Sequence, residues 1–318
     1  MVTLKRGWGC CCLAALLVSP AALANDAQTW LHRMSDATSQ VSYTGAFVYE
    51  RSGSFSTHQV WHRATDESVT ERLLQADGEP LEWVRRDGHV QCATSYSAGP
   101  LWDTSTEAAQ DPAMLEQWYS LEVLGGTRVA DRAATVVAVK PRDNYRYAYE
   151  LYLDNETGLL LKSLLINERS TLLERFQFTN LSYSDISDAS LEPGPGCLQL
   201  DATLKSEGAD SEAWEPGWLP PGFVAGPQDI RSFAVDESPV SSRVYTDGMS
   251  RFTVFVESLG EEGLADDLRA QLGPTVAVSR KLKASNGVFL ATVVGEIPPA
   301  AAERIASSFA QPAEPASD

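Results

Sequence analysis

Apolar and polar positions change period along the chain, and the changes mark its elements. Over residues 26–40, Trp30, Leu31, Met34 and Ala37 recur at helical spacing behind Asp26, which can cap the helix. From Tyr43 the period falls to two. Runs at 43–51 and 55–63 flank Ser52-Gly53, a hairpin-type turn. Asp77-Gly78 and Asp87-Gly88 punctuate three further runs, 68–75, 81–86 and 89–93. Pro112 opens a short helix over 112–119. Strands resume at 121–124, 127–130 and 134–140, and 145–153, 159–166 and 172–181 form a meander around a turn from Asn155 to Gly158. One helix ahead of so many strands spaced by turns predicts a curved antiparallel sheet or open barrel.

The pattern breaks after Leu191. Glu192-Pro193-Gly194-Pro195-Gly196 interrupts regular structure and 201–217 is acidic and polar, so 191–217 reads as an interdomain linker after a first domain over 25–190. A smaller α+β domain over 218–310 follows. It holds a hairpin of 243–246 and 250–257 across Asp247-Gly248, a helix over 262–272, a second hairpin of 275–282 and 287–294, and a helix over 299–310. A Pro/Ala-rich tail, 311–318, reads as frayed.

The first residues read as an address. Lys5 and Arg6 precede an apolar run from Cys10 to Ala24 that ends in Ala22-Leu23-Ala24, the small-x-small pattern of a cleaved secretory signal. The run is short of the roughly 20 residues a membrane-spanning helix needs. Export would remove Cys10, Cys11 and Cys12, leaving Cys92 and Cys197 in an oxidising compartment, where a disulfide is possible. Their separation and the Pro/Gly run before Cys197 leave the pairing open.

Composition narrows the function class. Of 318 residues, 43 are acidic and 25 basic, a formal net charge of −18. That balance disfavours nucleic acid, whose phosphates need a basic face. The Gly-x-Ser-x-Gly elbow, Cys-x-x-Cys, phosphate loop and Gly-x-Gly-x-x-Gly do not occur in the expected mature chain, so no catalytic residue or cofactor is assigned. His58 and His62 are four apart, but in a strand that spacing is about 13 Å. Zinc ligands must all lie roughly 2 Å from one ion, so no metal site is assigned either.

Two groups of residues remain as candidates for binding. With Ser52-Gly53 as a two-residue turn, Tyr43, Gly45, Phe47 and Tyr49 share one face of the first hairpin with Ser56, His58, Val60 and His62. Tyr43, Phe47, Tyr49, Val60 and His62 could line an apolar pocket for an acyl chain or peptide side chain; a plain core remains the alternative. The second group is Arg128, Arg132, Arg142 and Arg146, which with Lys140 outnumber Asp131 and Asp143 in an acidic chain. Gathered by the fold, they could bind an anionic headgroup or acidic peptide; scattered, they would only keep a sheet soluble.

Several segments resemble the MucB/RseB family. Phe47 to His58, Trp61-His62-Arg63 and the Asp87-Gly88 turn with Cys92 after it are similar to its first domain. Leu219-Pro220-Pro221-Gly222-Phe223, Arg251 to Phe255, Gln271 to Thr275 and Val293 to Pro298 are similar to its second. The resemblance implies a half-open, lipoprotein-carrier-like antiparallel barrel with helices on its concave side. It implies a periplasmic protein that holds the periplasmic region of a single-span anti-sigma factor, shields it from site-1 proteolysis and releases it on binding lipid or lipopolysaccharide fragments. On the small domain, Phe252, Val254, Phe255 and Val293 are candidate anti-sigma contacts, some of which must instead form that domain's core. The rival is a periplasmic lipid or lipoprotein carrier. The sequence leaves open whether the chain forms homo-oligomers.

Overall fold

The computed structural model describes residues 20–79, 81–94, 112–199, 214–231, 240–259, 267–284 and 287–309. The expected signal segment through residue 19, the linker over 200–213, the first part of the helix expected at 262–272 and the tail over 311–318 lie outside them.

Eleven strands form one antiparallel sheet. In chain order they are β1 (Tyr43–Arg51), β2 (Ser54–Ala64), β3 (Val69–Gln75), β4 (Glu82–Arg86), β5 (His89–Ala93), β6 (Tyr119–Val129), β7 (Arg132–Pro141), β8 (Ala148–Asp154), β9 (Leu160–Ile166), β10 (Leu172–Ser182) and β11 (Leu198–Gln199). The spatial order is β11-β5-β4-β3-β2-β1-β10-β9-β8-β7-β6, so β11 and β6 are edges and the sheet is unclosed. The first hairpin has the expected register: Tyr43 lies opposite His62 and Phe47 opposite His58. Ser52 and Gly53 both take positive φ, as a tight two-residue turn requires. β6 runs unbroken through Gly125-Gly126, where two strands were expected, because a bulge between Val123 and Gly125 absorbs the glycines.

Helix α1 (Pro20–Gln40) lies on one face of this sheet. Ala27 and Leu31 are buried against Tyr119, Leu121, Val137, Val139, Leu151 and Leu153. The same face continues across the strands: a pairing row runs Tyr49, Phe176, Ser163, Leu151, Val137 from β1 to β7. The sheet curls until Ala130, in the β6–β7 turn, packs against the Phe47–Phe178 cluster. Arg33 of α1 donates to the Asn155 and Glu156 carbonyls at 2.9 and 3.1 Å. Short helices α2 (Pro112–Leu115) and α3 (Asp188–Leu191) flank the sheet.

Cys92 and Cys197 are joined in a disulfide with Cα atoms 5.5 Å apart. Leu198 and Gln199 pair with Ala93 and Cys92. The first part of the expected linker is thus stitched to the large sheet.

The second sheet has six antiparallel strands, β12 (Val224–Arg231), β13 (Val240–Thr246), β14 (Arg251–Leu259), β15 (Arg269–Leu272), β16 (Thr275–Ala284) and β17 (Gly287–Gly295), in the order β12-β13-β14-β17-β16-β15. Helix α4 (Pro299–Ser307) buries Ala301, Ala302, Ile305 and Ala306 on it. Two expectations fail here. Residues 269–272 pair as a strand with 275–278 instead of ending a helix, because Gly273 (φ +60°) closes a hairpin. The strand over 224–231 is not among the elements expected from the sequence, and it contains Gly226 and Pro227. As an edge strand with an irregular register between Ala225 and Gln228, it tolerates both.

Candidate functional site: the aromatic face and the domain seam

The expected pocket residues share one surface. Tyr43 stacks on His62 at 4.8 Å between ring centroids and Phe47 stacks on His58 at 4.9 Å. Phe47 also meets Phe176 and Phe178 at 4.8 and 5.8 Å. Phe47, Val60 and His62 are buried, whereas Tyr43 and Tyr49 are half-buried, so the five form a continuous aromatic layer together with Leu73 and Trp83.

Polar groups are set into this layer. His62 Nδ1 faces Glu71 Oε2 at 2.9 Å and Nε2 faces the Thr38 carbonyl of α1 at 3.0 Å, tying the helix end to β2. Burial pushes the Glu71 carboxyl up, but hydrogen bonds from His62 and Arg85 outweigh it and hold Glu71 below its ordinary value. His58 Nδ1 and Trp83 Nε1 are buried without a hydrogen-bond partner among the described residues. Burial lowers the His58 pKa, which keeps that ring neutral. No motif in the sequence marks these two nitrogens; the only signal is a polar ring at an inward position of an apolar strand.

The arginines are not gathered into an open patch. Arg128 and Arg132 lie at one end of the β6–β7 hairpin, and Arg142 and Arg146 lie beyond the other end of β7, about 30 Å away at roughly 3.3 Å per residue. Arg128 pairs with Asp131 at 2.8 Å. Arg132 pairs with Asp154 and Glu156 and lies over the Tyr183 ring. Arg142 donates to the Glu116 and Tyr119 carbonyls, both at 3.1 Å. Arg146 has a side-chain exposure of 0%. These cations serve internal acceptors because each emerges beside a carboxylate or an open carbonyl.

Arg146 instead joins the two sheets. It donates to Asp247 in the β13–β14 turn, to Asp143 and to the Pro221 carbonyl. Trp118, Tyr119 and Phe223 surround its guanidinium at 5.7, 5.6 and 5.0 Å. Tyr119 donates to Asp247 Oδ2 at 2.9 Å, and Asp247 Oδ1 accepts from the Met249 and Ser250 amides. A buried charge pair is tolerated when its remaining hydrogen-bonding capacity is filled in this way. Gly222 (φ +88°) lies so close to the Trp118 ring that a Cβ would come within 2.2 Å of Nε1.

A second contact crosses the seam. Arg51 of β1 pairs with Glu174 of β10 at 2.9 Å and with Glu296, which follows β17. Tyr49 donates to the same Glu174 oxygen at 2.5 Å. Burial and the Glu174 charge outweigh Arg51 and Arg251 and hold the Glu296 carboxyl above its ordinary value.

Three of the four residues expected to contact a partner are core. Phe252, Val254 and Val293 have exposures of 1%, 3% and 0% and pack with Ala302 and Ile305 of α4. Alternation along β14 turns Phe255 to the opposite face, where it is half-buried between Ser242 and Thr292. Among the described residues no group of three or more His, Cys, Asp or Glu could hold a metal ion.

The two sheets coincide with two matched family models: the MucB/RseB N-terminal domain over residues 26–195 and the MucB/RseB C-terminal domain over residues 208–310. The chain belongs to the MucB/RseB family. Its similarity to MucB/RseB members runs end to end. It is 46% identical to the sigma factor AlgU regulatory protein MucB of Pseudomonas aeruginosa, covering 93% of this chain and 95% of that protein. It is 28% identical to the sigma-E factor regulatory protein RseB of Escherichia coli K12, covering 93% and 94%. Among solved structures, MucB in complex with MucA(peri) is 45% identical over 90% of this chain and 98% of that one, with a TM-score of 0.75. MucB alone is 44% identical over 91% and 98%, with a TM-score of 0.71.

Proposed function

We propose that this protein is a regulator that works by occupancy, not by catalysis. It binds the periplasmic segment of a membrane-anchored anti-sigma factor and thereby restrains an envelope-stress sigma factor. The observation that carries this reading is the end-to-end similarity, across both domains, to a MucB chain solved with MucA(peri). The basic n-region, apolar run and Ala22-Leu23-Ala24 support export to the periplasm. Among the described residues no helix is long and apolar enough to cross a membrane. Bound, the protein shields the anti-sigma segment from its first proteolytic cut.

Lipid or lipopolysaccharide fragments act as the releasing ligand in this reading. The aromatic layer of β1, β2 and β10 is where acyl chains would lie, and the His58 and Trp83 nitrogens, without a partner among the described residues, offer hydrogen bonds to a polar group. Lipid and peptide are then linked ligands, each weakening the other by the same coupling free energy, typically about 1–3 kcal/mol. The same layer favours the second reading, a lipid or lipoprotein carrier. A pull-down from membranes separates the two. The regulator recovers a single-span inner-membrane protein and loses it without residues 218–318; a carrier recovers many lipoproteins and keeps them.

A further inference from the structure

Among the described residues, two carboxylate–arginine contacts across the seam are balanced differently. At Arg146, one guanidinium meets Asp247 inside a shell of aromatic rings, and every oxygen of that carboxylate is used. At Arg51, one guanidinium nitrogen serves two carboxylates from different domains, Glu174 and Glu296, which must therefore lie close together. Glu174 is already occupied by the Tyr49 phenol. Beside this cluster the β1–β2 turn abuts the β15–β16 turn: a Cβ on Gly273 would lie 2.6 Å from Ser52 Oγ and 3.0 Å from Arg51 Cγ.

We propose that Arg51, Glu174 and Glu296 form an acid-tightened latch between the two domains, with the Arg146–Asp247 pair as its fixed pin. Two carboxylates sharing one donor repel, and a proton on one removes that repulsion. Glu296 is the one that leaves the cluster when the domains part. The groups acting on Glu296 are Glu174 from β10, Arg51 and Tyr49 from β1, Arg251 from β14, Tyr147 just before β8 and Tyr149 within it. Burial raises all three phenols, Tyr147 to about 12, so they stay neutral throughout the useful range. Docking holds the Glu296 carboxyl above its ordinary value of 4.5. The docked state therefore binds the proton more tightly than the parted state. Docking strengthens as pH falls through the raised value and loses that contribution as pH rises above it.

Hydrogen–deuterium exchange on the full-length exported chain, without partner, tests this. Amides in 49–55 and 269–275 are compared at pH 5 and pH 7.5 after correction for the intrinsic rate. Exchange should be about threefold or more slower at pH 5. Glu296→Gln should be slow at both pH values. Glu174→Gln, which removes the opposing carboxylate, should shrink the difference, and it decides the matter should Glu296→Gln misfold. Equal corrected exchange at both pH values in the unaltered chain, or a pH difference that survives Glu296→Gln, overturns the latch. Because no partner is present, that failure is distinct from failure of the regulatory reading.

Discussion

Phe252 and Phe255 are three residues apart on one strand and face opposite ways, so their side chains have different work. Phe252→Ala removes a ring packed on Phe223 and Tyr245 at about 5 Å and should lower stability by about 3–5 kcal/mol. Phe255→Ala should cost about 1–2 kcal/mol and weaken anti-sigma binding. Urea melts and a binding titration on the same two variants check both outcomes. Arg146 makes the same point for charge. Arg146→Met strands Asp247 in the seam and should destabilise by about 3–5 kcal/mol. Its effect on affinity for anionic vesicles should be nil in the folded protein, because the guanidinium is enclosed. The facing pairs of the first hairpin were legible in the sequence because Ser52-Gly53 fixes the register. The role of Arg146 was not, because its acceptor lies 101 positions away and charge alone reads as surface.

Elements were legible where a local signal agreed with the final packing. The hairpin followed from its Asp247-Gly248 turn, and helix α4 from the Pro298-Pro299 pair that opens it. The segment at 269–272 did not, because its apolar spacing suits a helix while the hairpin at Gly273 rewards pairing with 275–278. The Gly226-Pro227 strand was hidden for the converse reason: a breaker in mid-sheet is acceptable at an edge. The disulfide belongs to this scale as well. It spans a sequence separation of 105 and fastens the chain leaving the large sheet to β5. Cys92→Ser or Cys197→Ser should lower the stability of the large domain by about 2–5 kcal/mol. Denaturant titrations with and without reductant should show that loss in the unaltered protein and no further loss in the variants.

The whole molecule is two sheets joined by a seam whose polar contacts are internal to the chain. Both domains are shared with a MucB chain that holds MucA(peri). The seam residues come from distant stretches, among them 49–51, 118–119, 146, 174, 222, 247 and 296, so they are invisible to any window along the sequence. What the sequence did carry was the two-domain plan, because each domain has its own periodicity and turns.

The most direct test of the central claim is a titration of the purified protein with the periplasmic segment of the cognate anti-sigma factor, repeated with added lipopolysaccharide. Saturable one-to-one binding that weakens about 5- to 150-fold with lipopolysaccharide is the predicted result. No binding of the segment under any condition, or binding that lipopolysaccharide leaves untouched, would contradict it.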